Sequence, residues 1–204
     1  MTATALQELP LFPLKTVLFP GGILPLRIFE TRYLDMVSRC MRTDSGFGVV
    51  TIHQGNEAGD QPVSIHPVGT LARIVDFDQT DDGLLGITCL GVQRLRVIDH
   101  RIQPDRLLLG QVFWLPDDPA QPPLPSHEPL ARVLRDLLEA MENGEPRRHA
   151  RFFAPDWENA AWIGNRLAEI LPLPLHVRQA LLEMTTPWER LDILLALFQE
   201  QRIA

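Results

Sequence analysis

Short apolar stretches separated by turn residues fill the first half of the chain and predict β-strands. The apolar runs Val68–Phe77 and Leu84–Ile98 flank the Asp82-Gly83 pair, which favours a tight hairpin turn, and apolar and polar residues nearly alternate in the second run from Val92 to Val97. Glu30–Arg42 differs, because its apolar residues recur at helical spacing. The predicted strands are Leu9–Leu14, Ile23–Phe29, Gly46–His53, the two hairpin arms and Arg106–Leu115.

Helical periodicity takes over in the second half of the chain. Four segments place apolar residues at helical spacing, namely residues 128–144, 156–171, 174–184 and 187–200. We expect Asp156 to cap the second helix. Pro187 suits the first position of the fourth, where Thr186 and Glu189 form a capping-box pattern.

A change of composition separates the two halves. Residues 116–126 hold five prolines in eleven positions, too many for regular structure. We therefore predict a β-domain over residues 1–116, a proline-rich linker over 117–126 and a helical domain over 127–204. Strands followed by helices indicate an α+β protein.

The charge of the chain argues against a nucleic-acid partner. Lys plus Arg number 19 and Asp plus Glu 26, for a net charge of −7. Through Asp118 there are 10 basic and 14 acidic residues, and after it 9 and 12. Both halves are acidic, whereas phosphate binding needs clustered Lys and Arg. The chain has no evident signal peptide and no apolar run of transmembrane length, so we expect a cytoplasmic protein without membrane contact.

Pro20-Gly21-Gly22 interrupts an apolar run and raises the question of a phosphate-binding loop. Such a loop needs a lysine and a hydroxyl residue after its glycines, and here Ile-Leu-Pro-Leu-Arg follows. Proline presets φ, and glycine adopts positive φ at little cost, so we interpret the segment as a turn between two strands.

No motif in the sequence indicates catalysis, a metal site or a cofactor. None of the serines lies in a G-x-S-x-G motif, and the histidines lack metal-ligand spacing. The acidic segment Asp76–Asp82 lacks the glycine and the closing glutamate of an EF-hand loop, so we interpret it as a solvated hairpin tip. Cys89 lies in an apolar strand, which predicts a buried and unreactive thiol.

Four aromatic residues stand close together before and within the second predicted helix. They are Phe152, Phe153, Trp157 and Trp162, and three arginines, Arg147, Arg148 and Arg151, lie beside them. One interpretation is a core that fastens the helices together. The other is an apolar groove that binds a peptide, or equally a second copy of the chain in a homodimer.

Three blocks of sequence, in order, resemble the N-terminal domain family of Lon proteases. The first is the opening segment, Leu9–Val37, with its Leu-Pro-Leu-Phe-Pro-Leu strand and Pro-Gly turn. The second contains Val68-Gly69-Thr70 and Gly91-Val92-Gln93-Arg94. The third is the helical end, with Leu-Pro-Leu-Pro at Leu171–Pro174.

The resemblance implies a fold and a class of function. The expected fold is a PUA-like β pseudo-barrel with one helix, followed by a bundle of about four helices. In Lon proteases this region is associated with substrate recognition, and ATPase and protease modules follow it. The sequence has no Walker A motif, so we expect a stand-alone, non-enzymatic form that binds unfolded or apolar protein segments.

Two other functions stay open at this point. PUA-like folds elsewhere bind RNA, which makes an RNA-binding protein the alternative, although the charge opposes it. A small-molecule hydrolase would need catalytic residues that converge only in three dimensions.

Overall fold

A computed structural model describes residues 6–57, 64–79, 83–144 and 154–203. It divides the chain into two compact units, Met1–Pro116 and Asp117–Ala204. Strands and one helix build the first unit, and helices build the second. No helix in the described ranges is long and apolar enough to cross a membrane.

The first unit contains one six-stranded sheet and one helix in its described part. Its elements are β1 (Gln7–Leu14), β2 (Ile23–Ile28), α1 (Thr31–Thr43), β3 (Phe47–Gln54), β4 (Ser64–Gln79), β5 (Leu85–Ile102) and β6 (Leu108–Trp114). The strand order is β2-β5-β4-β3-β1-β6, and β6 also pairs with β5. Five strands thus form a closed circuit, to which β2 adds a sixth.

The length of β5 explains how the sheet closes. One side of β5 pairs with β4. The other side pairs with β2 through Leu85–Leu90 and then with β6 through Leu95–Ile102. β1 and β3 are parallel, and all other neighbours are antiparallel. The resulting pseudo-barrel confirms the predicted α+β fold.

The core of the first unit joins α1 to the sheet. Tyr33, Met36 and Cys40 are buried on one face of α1, and the Tyr33 ring stacks on Phe12 of β1 with centroids 4.0 Å apart. A second apolar cluster is built from β1, β3, β5 and β6, and includes Leu95, which is fully buried. Burial of these side chains provides the main driving force for folding.

Pro20-Gly21-Gly22 forms a structural turn that is bound to β5. Gly21 has φ 74°, and its N–H donates to the carbonyl of Gly91 at 2.8 Å. Gly91 in turn donates to the carbonyl of Gly22 at 2.8 Å. A Cβ atom at Gly91 would overlap the carbonyl oxygen of Phe19. Glycine is therefore needed within the turn, at Gly21, and on the facing strand β5, at Gly91. The prediction that this segment is a turn is confirmed.

The second unit contains four α-helices in its described part. They are α2 (Glu128–Gly144), α3 (Ala160–Ile170), α4 (Leu175–Glu183) and α5 (Pro187–Ile203), and a single 3₁₀ turn covers Pro125–His127. The prediction of about four helices is confirmed, and Pro187 is the first residue of α5, as predicted.

The proline-rich segment is hydrogen-bonded to the helices of the second unit. Gln121 accepts the N–H of Ala160 at 2.8 Å, and Pro122 accepts the indole N–H of Trp188 at 2.8 Å. His127 is fully buried, and its Nε2 lies 2.8 Å from a carboxylate oxygen of Asp192.

A buried arginine connects three parts of the second unit. Arg190 is 1% exposed and donates to Asp118 at 2.7 Å, to the carbonyl of Leu181 at 2.9 Å and to that of Met184 at 2.7 Å. Gly164 leaves room for its aliphatic stem, since a Cβ there would lie 3.1 Å from the Cδ of Arg190.

Candidate functional site

Two of the four aromatic residues singled out in the sequence lie in the described part of the second unit. Trp157 occupies a turn before α3, and Trp162 lies in the first turn of α3. Phe152 and Phe153 lie outside the described residues, as do Arg147, Arg148 and Arg151.

The turn that presents the tryptophans is held by asparagine rather than by the predicted aspartate. α3 begins at Ala160, and the side chain of Asn159 accepts the N–H groups of Ala161 and Trp162 at 3.0 and 3.3 Å. The prediction that Asp156 caps this helix is therefore wrong. Asp156 instead accepts the side-chain amide of Asn159 at 3.1 Å and so orients the true cap.

The two tryptophans pack edge to face beside an arginine. Their ring centroids are 5.2 Å apart with an interplanar angle of 79°, and the guanidinium of Arg135 in α2 lies 4.9 Å from the Trp157 ring centroid. Both arrangements are favourable for aromatic rings, whose faces are negative and whose edges are positive. Trp157, Trp162 and Arg135 are here called the Trp157 surface.

The Trp157 surface is neither fully buried nor fully exposed. Both rings are partly accessible, and 43% of the Arg135 side chain is exposed. A carboxylate oxygen of Glu128 lies 3.6 Å from a guanidinium nitrogen of Arg135. The surface therefore offers apolar rings and one weakly paired cation, a combination suited to apolar side chains next to an acidic group.

Helix α3, which carries Trp162, also buries a charged side chain. Arg166 is 2% exposed and lies 2.8 Å from Glu169. Burial lowers the pKa of Arg166 and raises the pKa of Glu169 to about 7, although Arg166 and Arg178 oppose the second shift.

Neither cysteine is placed for nucleophilic chemistry. Cys40 and Cys89 are free and almost fully buried. Burial raises the pKa of both thiols, that of Cys89 to about 12, so the reactive thiolate is scarce at neutral pH. The prediction of a buried, unreactive Cys89 agrees with this environment.

The described residues contain no group of three or more side chains able to hold a metal ion. His53 and His66 lie in edge contact, with ring centroids 5.1 Å apart. Two imidazoles are fewer than the three or four ligands usual for zinc.

Two exposed aromatic side chains on the first unit were missed by the sequence analysis. Phe77 is 65% exposed and Phe29 62%, and both lie near the ends of strands next to β5. Asp76–Asp82 had been interpreted as a solvated hairpin tip, yet β4 continues as a strand to Gln79. The alternation of Val75, Asp76, Phe77 and Asp78 was the signal that could have revealed it.

The chain matches the family model of the ATP-dependent protease La (LON) substrate-binding domain over residues 8–200. Lon protease 2 of Myxococcus xanthus is 25% identical over 96% of this chain, which spans 24% of that protein. Lon protease of Xanthomonas oryzae pv. oryzae is 29% identical over 93% of this chain, which spans 22% of that protein. The chain thus covers about a quarter of the length of these relatives.

Solved structures agree with the family match. A Lon N-terminal domain protein from Xanthomonas campestris is 39% identical, with a TM-score of 0.76 over 93% of this chain and 98% of that one. The N-terminal domain of Mycobacterium avium complex Lon protease, 16% identical, shares the fold with a TM-score of 0.60 over 93% of this chain and 97% of that one. The chain belongs to the LON substrate-binding domain family.

Proposed function

We propose that this chain is a non-enzymatic module that binds exposed apolar segments of unfolded proteins in the cytoplasm. The observation that carries the proposal is the family match, which extends over residues 8–200 and concerns a substrate-binding domain. The catalytic activity of the longer relatives is not part of the proposal, because the chain corresponds to about a quarter of their length.

The Trp157 surface is the proposed contact region, together with Phe152 and Phe153 from the sequence. Tryptophan supplies a large apolar area with few rotatable bonds, which limits the entropy lost on binding. Trp157 is already ordered by Trp162 and Arg135, so little reorganisation is needed when a ligand arrives.

The contribution of the Trp157 surface is tested with a permanently unfolded protein, reduced and carboxymethylated α-lactalbumin carrying a fluorescent label. We expect a dissociation constant on the order of 10 µM by fluorescence anisotropy. Trp157→Ala is expected to weaken binding about tenfold, because it removes a central aromatic contact. Trp188→Phe is the control, since the Trp188 indole is bound to Pro122 and lies outside the proposed surface.

Each outcome separates the possible roles of Trp157. A Trp157→Ala variant that melts earlier but binds normally would assign the tryptophans to the core and remove them from the site. Absence of binding by the unaltered chain would contradict the proposed function itself. Salt-dependent binding of single-stranded RNA in the same assay would favour the RNA-binding alternative.

A further inference from the structure

The helix of the first unit carries apolar side chains outside the core. At the border of the exposed face of α1, Leu34 is 38% exposed and Met41 is 49% exposed. They are seven residues apart, which is two helical turns, so they lie on one line along the helix. Ser38 lies between them and is also exposed. Leu34, Ser38 and Met41 are here called the α1 seam.

One acid and one base flank the α1 seam in a fixed order. Asp35 follows Leu34 in the sequence, and Arg42 follows Met41, so the two charges lie on the same side of the seam. They are about 10 Å apart along the helix axis, with the acid nearer the N-terminus. Both are exposed, and neither forms an ion pair with another described residue.

The other charges of this helix are engaged or lie away from the seam. Glu30 and Arg32 pair with each other at 2.6 Å. Arg39 is exposed but lies about 40° further round the helix from the seam than Asp35. Asp44 caps the C-terminal end of the helix, beyond the seam. The flank of the seam therefore presents one negative and one positive charge.

This order of charges selects the partner that fits. The partner needs an apolar line at its centre, a base opposite Asp35 and an acid opposite Arg42. A second copy of α1 that runs antiparallel meets all three conditions, because Leu34 then meets Met41 of the second copy while Asp35 meets its Arg42. Each contact occurs twice about a two-fold axis. Parallel helices would instead place Asp35 beside the same residue of the second copy, and like charges repel.

We propose that α1 pairs with α1 of a second copy in antiparallel orientation, through the α1 seam and two Asp35–Arg42 contacts. A single pair of helices covers less than about 1,200 Å², the lower limit for stable interfaces, so the dimer is weak and reversible. We expect a dissociation constant on the order of 100 µM. The inference goes beyond the proposed function and does not depend on it, since the Trp157 surface belongs to the second unit.

Sedimentation equilibrium of the whole chain between about 10 and 500 µM measures the dimer. Asp35→Arg turns two attractive contacts into two repulsive ones and is expected to weaken the dimer about tenfold at low salt. Asp136→Arg is the matched control, because it changes the net charge equally at an exposed position of α2 and should leave the dimer unchanged. A chain that stays monomeric at every concentration would overturn the inference, and so would equal weakening by the two changes.

An exchange of charges tests the antiparallel arrangement itself. Arg42→Asp is also expected to weaken self-association. In a mixture of the Asp35→Arg and Arg42→Asp chains, however, a mixed dimer has opposite charges at both contacts. With one variant fluorescently labelled, we expect the two variants to bind each other at least about tenfold more tightly than either binds itself. Absence of this mutual preference would overturn the inference.

A charge within the seam distinguishes a second copy from an unfolded ligand. Met41→Arg is expected to abolish the dimer over the same range of concentration and to leave the binding of unfolded α-lactalbumin unchanged. Weaker binding of α-lactalbumin by this variant, in a chain that does not dimerise, would assign the face to the unfolded ligand and overturn the inference. A dimer that persists in a chain unable to bind α-lactalbumin would support the inference and contradict the proposed function.

Discussion

At the scale of single residues, the stability of the second unit depends on a buried arginine, Arg190, that no sequence motif identifies. Arg190 lies among the apolar residues of α5, and no motif in the sequence assigns it a role. In the structure its guanidinium is buried and bonded to Asp118 and to two carbonyl groups. Such a group is stabilising only while all its partners remain in place.

Replacement of Arg190 by methionine is therefore expected to lower the free energy of unfolding by about 3 kcal/mol. The change preserves most of the side-chain volume but removes the three hydrogen bonds that Arg190 donates to Asp118 and to the carbonyl groups of Leu181 and Met184. Urea denaturation followed by circular dichroism measures the effect. Arg135→Met, at a half-exposed arginine, should change stability by about 0.5 kcal/mol at most. Similar losses of unfolding free energy in the Arg190 and Arg135 variants would contradict the role assigned to Arg190.

At the scale of elements, periodicity predicted most strands and helices because each buries one face. It could not reveal the closure of the sheet, since β5 exchanges β2 for β6 along its length and that pairing joins residues distant in sequence. The start of α3 was also missed. Asp156 and Asn159 are both good capping residues, and only the path of the chain decides which one reaches the N–H groups of the helix.

The Pro20-Gly21-Gly22 turn offers a test at this scale. Gly91→Ala is expected to lower the free energy of unfolding by about 2 kcal/mol, because the new methyl group would overlap the Phe19 carbonyl on a tightly bonded turn. Val92→Ala is the matched control. Val92 is adjacent to Gly91 and 41% exposed, so its truncation should lower the free energy of unfolding far less. Thermal unfolding compares the melting temperatures of the two variants, and we expect that of Gly91→Ala to be the lower. Equal melting temperatures would contradict the close packing of Gly91 against the turn.

At the scale of the whole molecule, the sequence identified the family more readily than the binding site. The family is recognisable because the Pro-Gly turn, Gly69 and Gly91 satisfy backbone requirements that few residues meet. Binding of apolar segments requires no particular residue at a fixed position in the sequence, so it leaves no comparable motif. Aromatic residues in a core and at a binding surface look alike in a sequence, and Trp157 and Trp162 are partly accessible in the structure.

The measurement that tests the central claim most directly compares one protein in two states. Reduced, carboxymethylated α-lactalbumin and its native disulfide-bonded form share almost the same composition, and they differ in exposed apolar segments. By anisotropy, we expect the unfolded form to bind this chain at least about tenfold more tightly than the native form. Equal affinity for the two forms, or no binding of the unfolded one, would contradict the account.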